Sequence, residues 1–420
     1  MKEKERYSKI SNEQVFPSLP LLDYLNKINL IEDQQTFKNY KILATQHLLG
    51  SAATLLSMFE KGGAKPQDIY VVGKAYSSHP AVVEGLKNRG YRVSEGVFDY
   101  IEGEQYDLSL ERNIEKSFNM IINETDFDNG KQKGLLIDDG GKAIKLLHKS
   151  FSELTKYFAC VELTSRGYHA LQQIPLATPV INVARSEAKT IYESPLIAES
   201  MVNEFLKSLN NWKNVFQLRS KNVLLLGYGF IGENVYKELS KHGFNIIIYD
   251  SNPDKIRKAH NQQISIVNNR LEALSGANII IGCSGNLSIL ENELQNIQEG
   301  ALLVNMASTD TEFAAWNLRK QGQVVHERKL SSDKSRISSP LPWRSLYKVS
   351  IRNVNFYLAN GGFPIDFSGS IDPIPPNKIQ LTRALLLQAA VQATSTERKG
   401  LIDLDPEIQA NIISEYLRLQ

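Results

Sequence analysis

Three glycines stand between an apolar run and a helical pattern, at a spacing that can hold a phosphate. Residues 221–250 read KNVLLLGYGFIGENVYKELSKHGFNIIIYD. Gly227, Gly229 and Gly232 follow the run 223–226, Ile231, Val235 and Leu239 recur at helical spacing, and a second apolar run at 246–248 ends in Asp250. The first glycine permits a tight turn and the second lets backbone N–H groups approach a pyrophosphate. The third lets helix and strand pack closely, so that the helix N-terminus faces the negative charge. Phe230 and Ile231 belong to the same turn. Asp250 can accept from both hydroxyls of an adenosine ribose and would repel a 2′-phosphate, which selects NAD over NADP.

Other residues able to move protons fall at expected strand ends: IDDGG at 137–141, VELTSRGYHAL at 161–171 and PVINVARSEAKTIYES at 179–194. Oxidising a secondary alcohol needs a group to take the hydroxyl proton, and a lysine beside a cationic nicotinamide ring can do so with a lowered pKa. Removing the proton next to a ketone needs a carboxylate in reach, and elimination needs an acid near the leaving group, a role suited to histidine. Lys189, Asp139 and His47 are residues of these three types near expected strand ends. Each has a structural reading as well: Lys189 as a solvated helix residue, Asp139 as a turn residue before two glycines, His47 as the start of a helix.

Positioning such groups takes a scaffold with many strand ends. From Tyr40 the pattern alternates strands at 41–45, 69–72, 91–93, 134–137, 158–162 and 179–183 with helices at 47–59, 80–90, 110–122 and 142–151, the second with Ser78 as a candidate cap and Pro80 in its first turn. That rhythm predicts a parallel sheet covered on both faces, with ligands beyond the carboxyl ends of its strands. A linker at 193–197 containing Pro195 leads to the glycine motif, and further strands are expected at 264–267, 277–283 and 301–306. The stretch 331–339 reads as an exposed loop, and a helix at 382–394 has no sheet of its own. The expected class is α/β with two doubly wound domains. Residues 1–194 begin a flavodoxin-like substrate domain, 195–355 form an inserted Rossmann NAD-binding domain, and 356–420 return so that their helices complete the first domain.

With 42% hydrophobic and 22% charged residues the chain reads as globular, and a formal net charge of +2 asks for neither nucleic acid nor an acidic membrane surface. Cys160 and Cys283 sit in apolar runs without metal or redox spacing, so no metal is expected. The polar start lacks the apolar core of a signal peptide, and no run is long enough to span a bilayer. A cytoplasmic protein is expected.

Taken in order, ATQHLL, IDDGG, VELTSRGYHAL, PVINVARSEAKTIYES, GYGFIG, NMASTD at 305–310 and LANGG resemble the S-adenosylhomocysteine hydrolase family over roughly residues 41–394. The resemblance implies a substrate domain and an NAD domain that close over the ligand. It also implies resident NAD that oxidises a ribose 3′-hydroxyl, proton removal at the neighbouring carbon, loss of a 5′ thiolate, addition of water and re-reduction. On this likeness Lys189 assists the oxidation, Asp139 takes the carbon-bound proton, His47 serves elimination and addition, and Glu193 replaces an aspartate that holds the ribose. Thr164, Ser165, Ser194, Ser284 and Asn305 fall in cofactor-facing segments, and a homo-oligomer, dimer or tetramer, is implied.

The departures bear on substrate. Leu49 and Ser51 replace a threonine and a glutamate used on the nucleoside, Leu163 replaces a ribose-gripping glutamate beside retained Glu162, and Arg166 and Ser308 are new. Asp366 and Asp372 lie in PIDFSGSIDPIPP, where the family contacts adenine and nicotinamide. Glu162, Arg166, Asp366 and Asp372 are therefore the candidate substrate contacts. The expected function is an NAD-dependent enzyme that oxidises a secondary alcohol of a small nucleoside or sugar-like substrate to drive elimination or addition at the adjacent carbon. True S-adenosylhomocysteine hydrolysis, simple dehydrogenation and NAD-dependent regulation without turnover are the alternatives.

Overall fold

The computed structural model describes residues 10–29, 31–328 and 340–420. Two compact units emerge: one comprises the chain up to Asp99 together with Ser109–Glu193 and Ser370–Gln420, the other Tyr100–Leu108 and Ser194–Gly369. The strands in chain order are β1 (Tyr40–Gln46), β2 (Ile69–Gly73), β3 (Arg92–Val93), β4 (Lys133–Asp138), β5 (Phe158–Glu162) and β6 (Pro179–Asn182) in unit one. Unit two holds β7 (Asn222–Leu226), β8 (Asn245–Tyr249), β9 (Ile279–Gly282), β10 (Leu302–Asn305), β11 (Gly322–Glu327), β12 (Ser345–Ile351) and β13 (Val354–Leu358). The chain then returns to unit one with β14 (Gly400–Asp403).

Unit one is a seven-stranded sheet in the order β14-β6-β5-β4-β1-β2-β3, parallel throughout. Strands such as β1, YKILATQ, are buried along nearly their whole length because helices cover both faces. The two-domain α/β fold is the expected one, but this strand order is not flavodoxin-like. Strands are laid down outward from β1 on one side to β3 and then from β4 on the other, the doubly wound order of a dinucleotide-binding sheet, with the reversal between β1 and β4. The carboxyl ends of those two strands therefore flank a crevice.

The returning segment contributes more than helices. Pro376–Ser395 is buried on nearly every side, including Leu385, Leu386 and Leu387, which is why it shows no clean polar face. β14 then pairs in parallel with β6, Gly400 opposite Pro179. At four residues it is too short for an alternating pattern to show. The expected return at residue 356 falls inside β13, which pairs with β10 and β12 and so keeps residues up to Gly369 in unit two.

Unit two is also a seven-stranded sheet, ordered β11-β12-β13-β10-β9-β7-β8, with β12 antiparallel to both neighbours. The strand expected at 264–267 reduces to one bridge, Ile266 with Ile248, at the β8 edge. The linker expected at 193–197 is helical: a π-turn Ala188–Glu193 runs directly into the helix Ser194–Trp212, with Pro195 in the first turn, where a missing N–H costs nothing. The helix expected from His47 starts instead at Gly50, and the cap expected from Ser78 is made by His79, whose Nδ1 accepts from the Ala81 N–H. The loop expected at 331–339 lies outside the described residues. Among the described residues no helix is long and apolar enough to cross a membrane.

Candidate active site

In unit two the glycine turn joins β7 to the helix Phe230–Ser240. Gly227 has φ +101°, and a Cβ there would lie 2.7 Å from the Ser284 amide nitrogen, so only glycine lets the β7 and β9 ends approach. A Cβ on Gly232 would overlap the Gly227 carbonyl oxygen. Gly229 caps the helix without any side-chain hydrogen bond, so the first turn of the helix is not closed by a capping side chain. Asp250 accepts from the Tyr228 N–H at 2.6 Å through Oδ2 and from the Asn252 N–H at 2.8 Å through Oδ1. Lys255 Nζ also stands 3.7 Å from Oδ2, and Oδ1 keeps acceptor capacity for a ribose hydroxyl. An open backbone cradle, an uncapped helix and a fixed acid fit a dinucleotide.

The other polar groups of this unit mostly serve the protein itself. Asn305 was a candidate cofactor contact, yet its amide donates to the Thr309 and Gly362 carbonyls at 2.6 and 2.8 Å and accepts from the Ala307 N–H at 2.7 Å. It is fully buried and spent on its own turns. Ser284 contacts Glu312, whose carboxylate also accepts from Ser288 and the Gly285 N–H. Burial pushes the Glu312 carboxyl up to about 7, against the pull of those donors. Glu312 escaped the sequence reading, although it stands two residues after Asp310 in the strand-end segment. Asp366, expected to meet substrate, is buried in unit two, and desolvation raises its carboxyl to about 7 with the charge of Glu204 adding to it. Ser194 is buried at the start of its helix.

Unit one gathers a different kind of site at the ends of β1, β2 and β4. Asp139 follows β4, its N–H held by Thr45 Oγ1 at 3.2 Å, before two glycines at φ +125° and +71° that bend the chain away. His47 follows β1, with Nδ1 2.5 Å from Ser77 Oγ. Between them lies Lys74, the residue after β2, which is only 3% exposed. Its Nζ is 2.6 Å from Asp139 Oδ1 and 3.4 Å from His47 Nε2, and His47 Nε2 is 3.6 Å from Asp139 Oδ2. Lys74 was missed in the sequence, where it is a lone lysine after an apolar strand.

Charge states follow from these contacts. Burial, and then the Lys74 charge, lower the His47 imidazole to about 3, so His47 is neutral at physiological pH. The tautomer that satisfies its neighbours carries the proton on Nδ1 toward Ser77 and turns the Nε2 lone pair to Lys74. Burial opposes ionisation of Asp139, but Lys74 and then His47 outweigh it and hold this carboxyl well below the usual range. Its neighbour Asp138 behaves oppositely: desolvation raises it, and its oxygens accept from Thr45 Oγ1 at 2.5 Å and the Ile144 N–H at 3.0 Å, fixing the start of the helix Lys142–Ser150.

A second pair sits on the π-turn. Lys189 Nζ donates to Glu193 Oε1 at 2.8 Å, and Glu193 Oε2 accepts from Thr382 Oγ1 at 2.6 Å. The i,i+4 spacing of Lys189 and Glu193 brings the two side chains together on one face of the turn, and π-turns are frequent at functional sites. Beside it, Ser51 Oγ donates to Asp372 Oδ1 at 2.7 Å, the Ser51 N–H reaches Asp372 Oδ2 at 3.1 Å, and Arg383 donates to Ser51 Oγ through Nε at 3.3 Å and Nη2 at 3.2 Å. Burial is the largest influence on Asp372 and raises it. Thus His47, Asp139, Lys189, Glu193 and Asp372 all fall in unit one, joined by the unforeseen Lys74, Thr382 and Arg383.

Glu162 does not join them as a substrate contact. It is 0% exposed, and its Oε1 accepts from the Gly140 N–H at 3.3 Å and from the N–H and hydroxyl of Thr164, both at 2.7 Å. Desolvation, and then Asp138, push its carboxyl well above the usual range, and its hydrogen bonds make it a brace between two strand-end loops. Thr164 is spent on that brace and on capping the helix Ser165–Leu171 through the Gly167 N–H, while Ser165 and Arg166 are half-buried in its first turn. Among the described residues no group of three or more His, Cys, Asp or Glu side chains could hold a metal ion. Cys160 and Cys283 are buried and unpaired.

Comparison with known proteins agrees with this division. Residues 201–340 match the S-adenosyl-L-homocysteine hydrolase, NAD binding domain. An uncharacterized protein of Mycobacterium tuberculosis is 27% identical over 90% of this chain and 69% of its own length. An adenosylhomocysteinase of Pyrococcus abyssi is 24% identical over 82% of this chain and 74% of its own. An S-inosyl-L-homocysteine hydrolase of Methanococcus maripaludis is 24% identical over 71% and 68%. With the glycine cradle of unit two, these likenesses make residues 201–340 an NAD-binding domain of the S-adenosyl-L-homocysteine hydrolase type, with NAD as the cofactor, in a chain that is similar to that family over most of its length.

Proposed function

We propose that the protein oxidises a secondary alcohol of a nucleoside or sugar-like substrate and uses the resulting ketone to drive elimination or addition at the neighbouring carbon. The observation that carries this reading is the Lys189–Glu193 pair beside the Lys74–Asp139–His47 triad in one unit. Gly227, Gly229, Gly232 and Asp250 would hold NAD, which when bound would supply a hydride acceptor and donor, making the overall change redox-neutral.

Lys189 and Glu193 bind the alcohol and take its proton, with Thr382 fixing the orientation of the carboxylate. Asp139, already ionised, is in the form required to remove the proton next to the ketone, and Thr45 fixes its backbone. His47, held neutral, turns its Nε2 lone pair toward Lys74 and so acts first as an acceptor, not as the acid that its residue type suggests. Lys74, between acceptor and carboxylate, is the proton source for the leaving group. The relatives named for adenosyl and inosyl substrates share a ribose and differ in the base. Here the alcohol-handling pair is retained, whereas Leu49 and Leu163 are buried and offer a base or hydroxyl no partner.

The test is to load the full chain with NAD, add a panel of nucleosides and sugars, and follow reduced nicotinamide and products together. Transient reduction followed by reoxidation and a dehydrated or hydrated product is expected. No conversion of any compound by the NAD-loaded protein would sink the proposal, and steady accumulation of NADH would make the protein a simple dehydrogenase.

A further inference from the structure

The three cations of the unit-one cluster are not equally served. Lys74 has Asp139 at 2.6 Å and Lys189 has Glu193 at 2.8 Å. Arg383 is 5% exposed, yet among the described residues no carboxylate lies within 4.0 Å of it. Its Nε and Nη2 converge on one oxygen, Ser51 Oγ, at 3.3 and 3.2 Å. That hydroxyl gives its own proton to Asp372, so Asp372 is satisfied by Ser51 and not by the guanidinium. Nη1 has no acceptor among the described residues, nor is it one of the sealed polar atoms of the interior.

A guanidinium carries five donors in a planar fork. Burying one with a single neutral acceptor is costly unless something else completes it, since desolvation is compensated only when the remaining donors find partners. The helix Pro376–Ser395 also fixes its direction: Thr382, one residue earlier, holds Glu193 of the alcohol-handling pair. Arg383 feels the charge of Asp372 first, beyond direct ion-pair distance, and then those of Glu193 and Asp139, and its own charge bears on His47. The guanidinium therefore lies within charge–charge range of the residues of the proposed chemistry.

We infer that Arg383 is a specificity-determining residue that receives an oxyanion of the substrate, a carboxylate or a phosphoryl group, a short distance from the alcohol to be oxidised. The inference rests on the proposed function only in taking this cluster as the substrate site. The substrate class is then a compact hydroxy acid or sugar phosphate and not a neutral nucleoside.

Calorimetry on the NAD-loaded full chain with D-ribose, D-ribonate and D-ribose 5-phosphate tests it. At least one anionic probe is expected to bind about tenfold or more tightly than D-ribose, the size of one charge-assisted contact. The tighter of the two identifies the oxyanion as carboxylate or phosphoryl. Arg383→Gln is expected to abolish the difference, and Arg383→Lys to restore part of it without the bidentate fork. Equal binding of all three probes, binding of none, or a preference that survives Arg383→Gln overturns the inference. Because the readout is binding, failure of the redox proposal looks different: the anion preference persists while the nicotinamide is never reduced.

Discussion

The two sheets end in sites built on opposite principles. At the carboxyl end of β7 the binding surface is backbone: uncapped N–H groups of a glycine turn, with side chains such as Asn305 and Glu312 consumed in bracing the loops. At the ends of β1, β2 and β4 the surface is side chain: titratable groups from segments far apart in sequence face one another, and one buried cation is left incomplete. A ligand common to many proteins can be held by a generic cradle. Chemistry on one substrate needs charges placed by particular residues.

The sharpest break between the two should come from Gly227→Val. Its left-handed backbone and the nearby Ser284 amide leave no room for a branched side chain, with strain of about 1–3 kcal/mol before any clash. NAD binding by calorimetry is expected to vanish, while the melting of an isolated unit-one signal is unchanged; retained NAD affinity would undo the cradle assignment. The converse is Asp139→Asn, expected to leave NAD affinity intact while turnover falls by roughly 10²- to 10⁴-fold. Turnover within twofold of wild type would remove Asp139 from the chemistry.

Lys74→Met sharpens the side-chain half. Because the lysine charge lowers His47 and holds Asp139 down, both should titrate higher in the variant, visible in imidazole NMR shifts, alongside a loss of activity of about a hundredfold. A His47 titration that does not move would show that burial alone sets it. The smallest effect concerns Glu312→Gln. The folded-state carboxyl stands at about 7 against 4.5 when solvated, so the native state binds the proton more tightly between those values. The stability contributed by the wild-type carboxyl is thus fully present below about pH 4.5 and is lost as pH rises through about 7. The melting temperature of the wild type relative to the variant should fall over that window; a constant difference would contradict it.

Legibility in the sequence followed the same division. The glycine turn could be read because its function is contiguous: strand, turn, helix, strand and acid occupy thirty consecutive positions. Lys189 and Glu193 were within reach as neighbours on one turn. Lys74 and Arg383 were not, since each is a single cation in an apolar context whose meaning depends on Asp139 or Ser51 arriving from elsewhere. Errors ran the other way as well. Glu162, Asn305 and Asp366 are polar residues at strand ends or turns, as ligand contacts would be, but they are buried, and Glu162 and Asn305 are consumed by the loops around them. Polarity at a strand end says that a loop needs partners; only packing says whether a ligand supplies them.

The segment that carries Asp372, Thr382 and Arg383 is made after unit two. Most of unit two is encoded between Glu193 and Ser370, so on a translating ribosome it can fold as it emerges, while unit one waits with an unfilled groove for the helix Pro376–Ser395 and an unpaired β6 edge for β14. The contacts of Thr382 with Glu193 and of Arg383 and Asp372 with Ser51 cannot form before that docking, so the cradle for NAD can be finished on the nascent chain before unit one is complete.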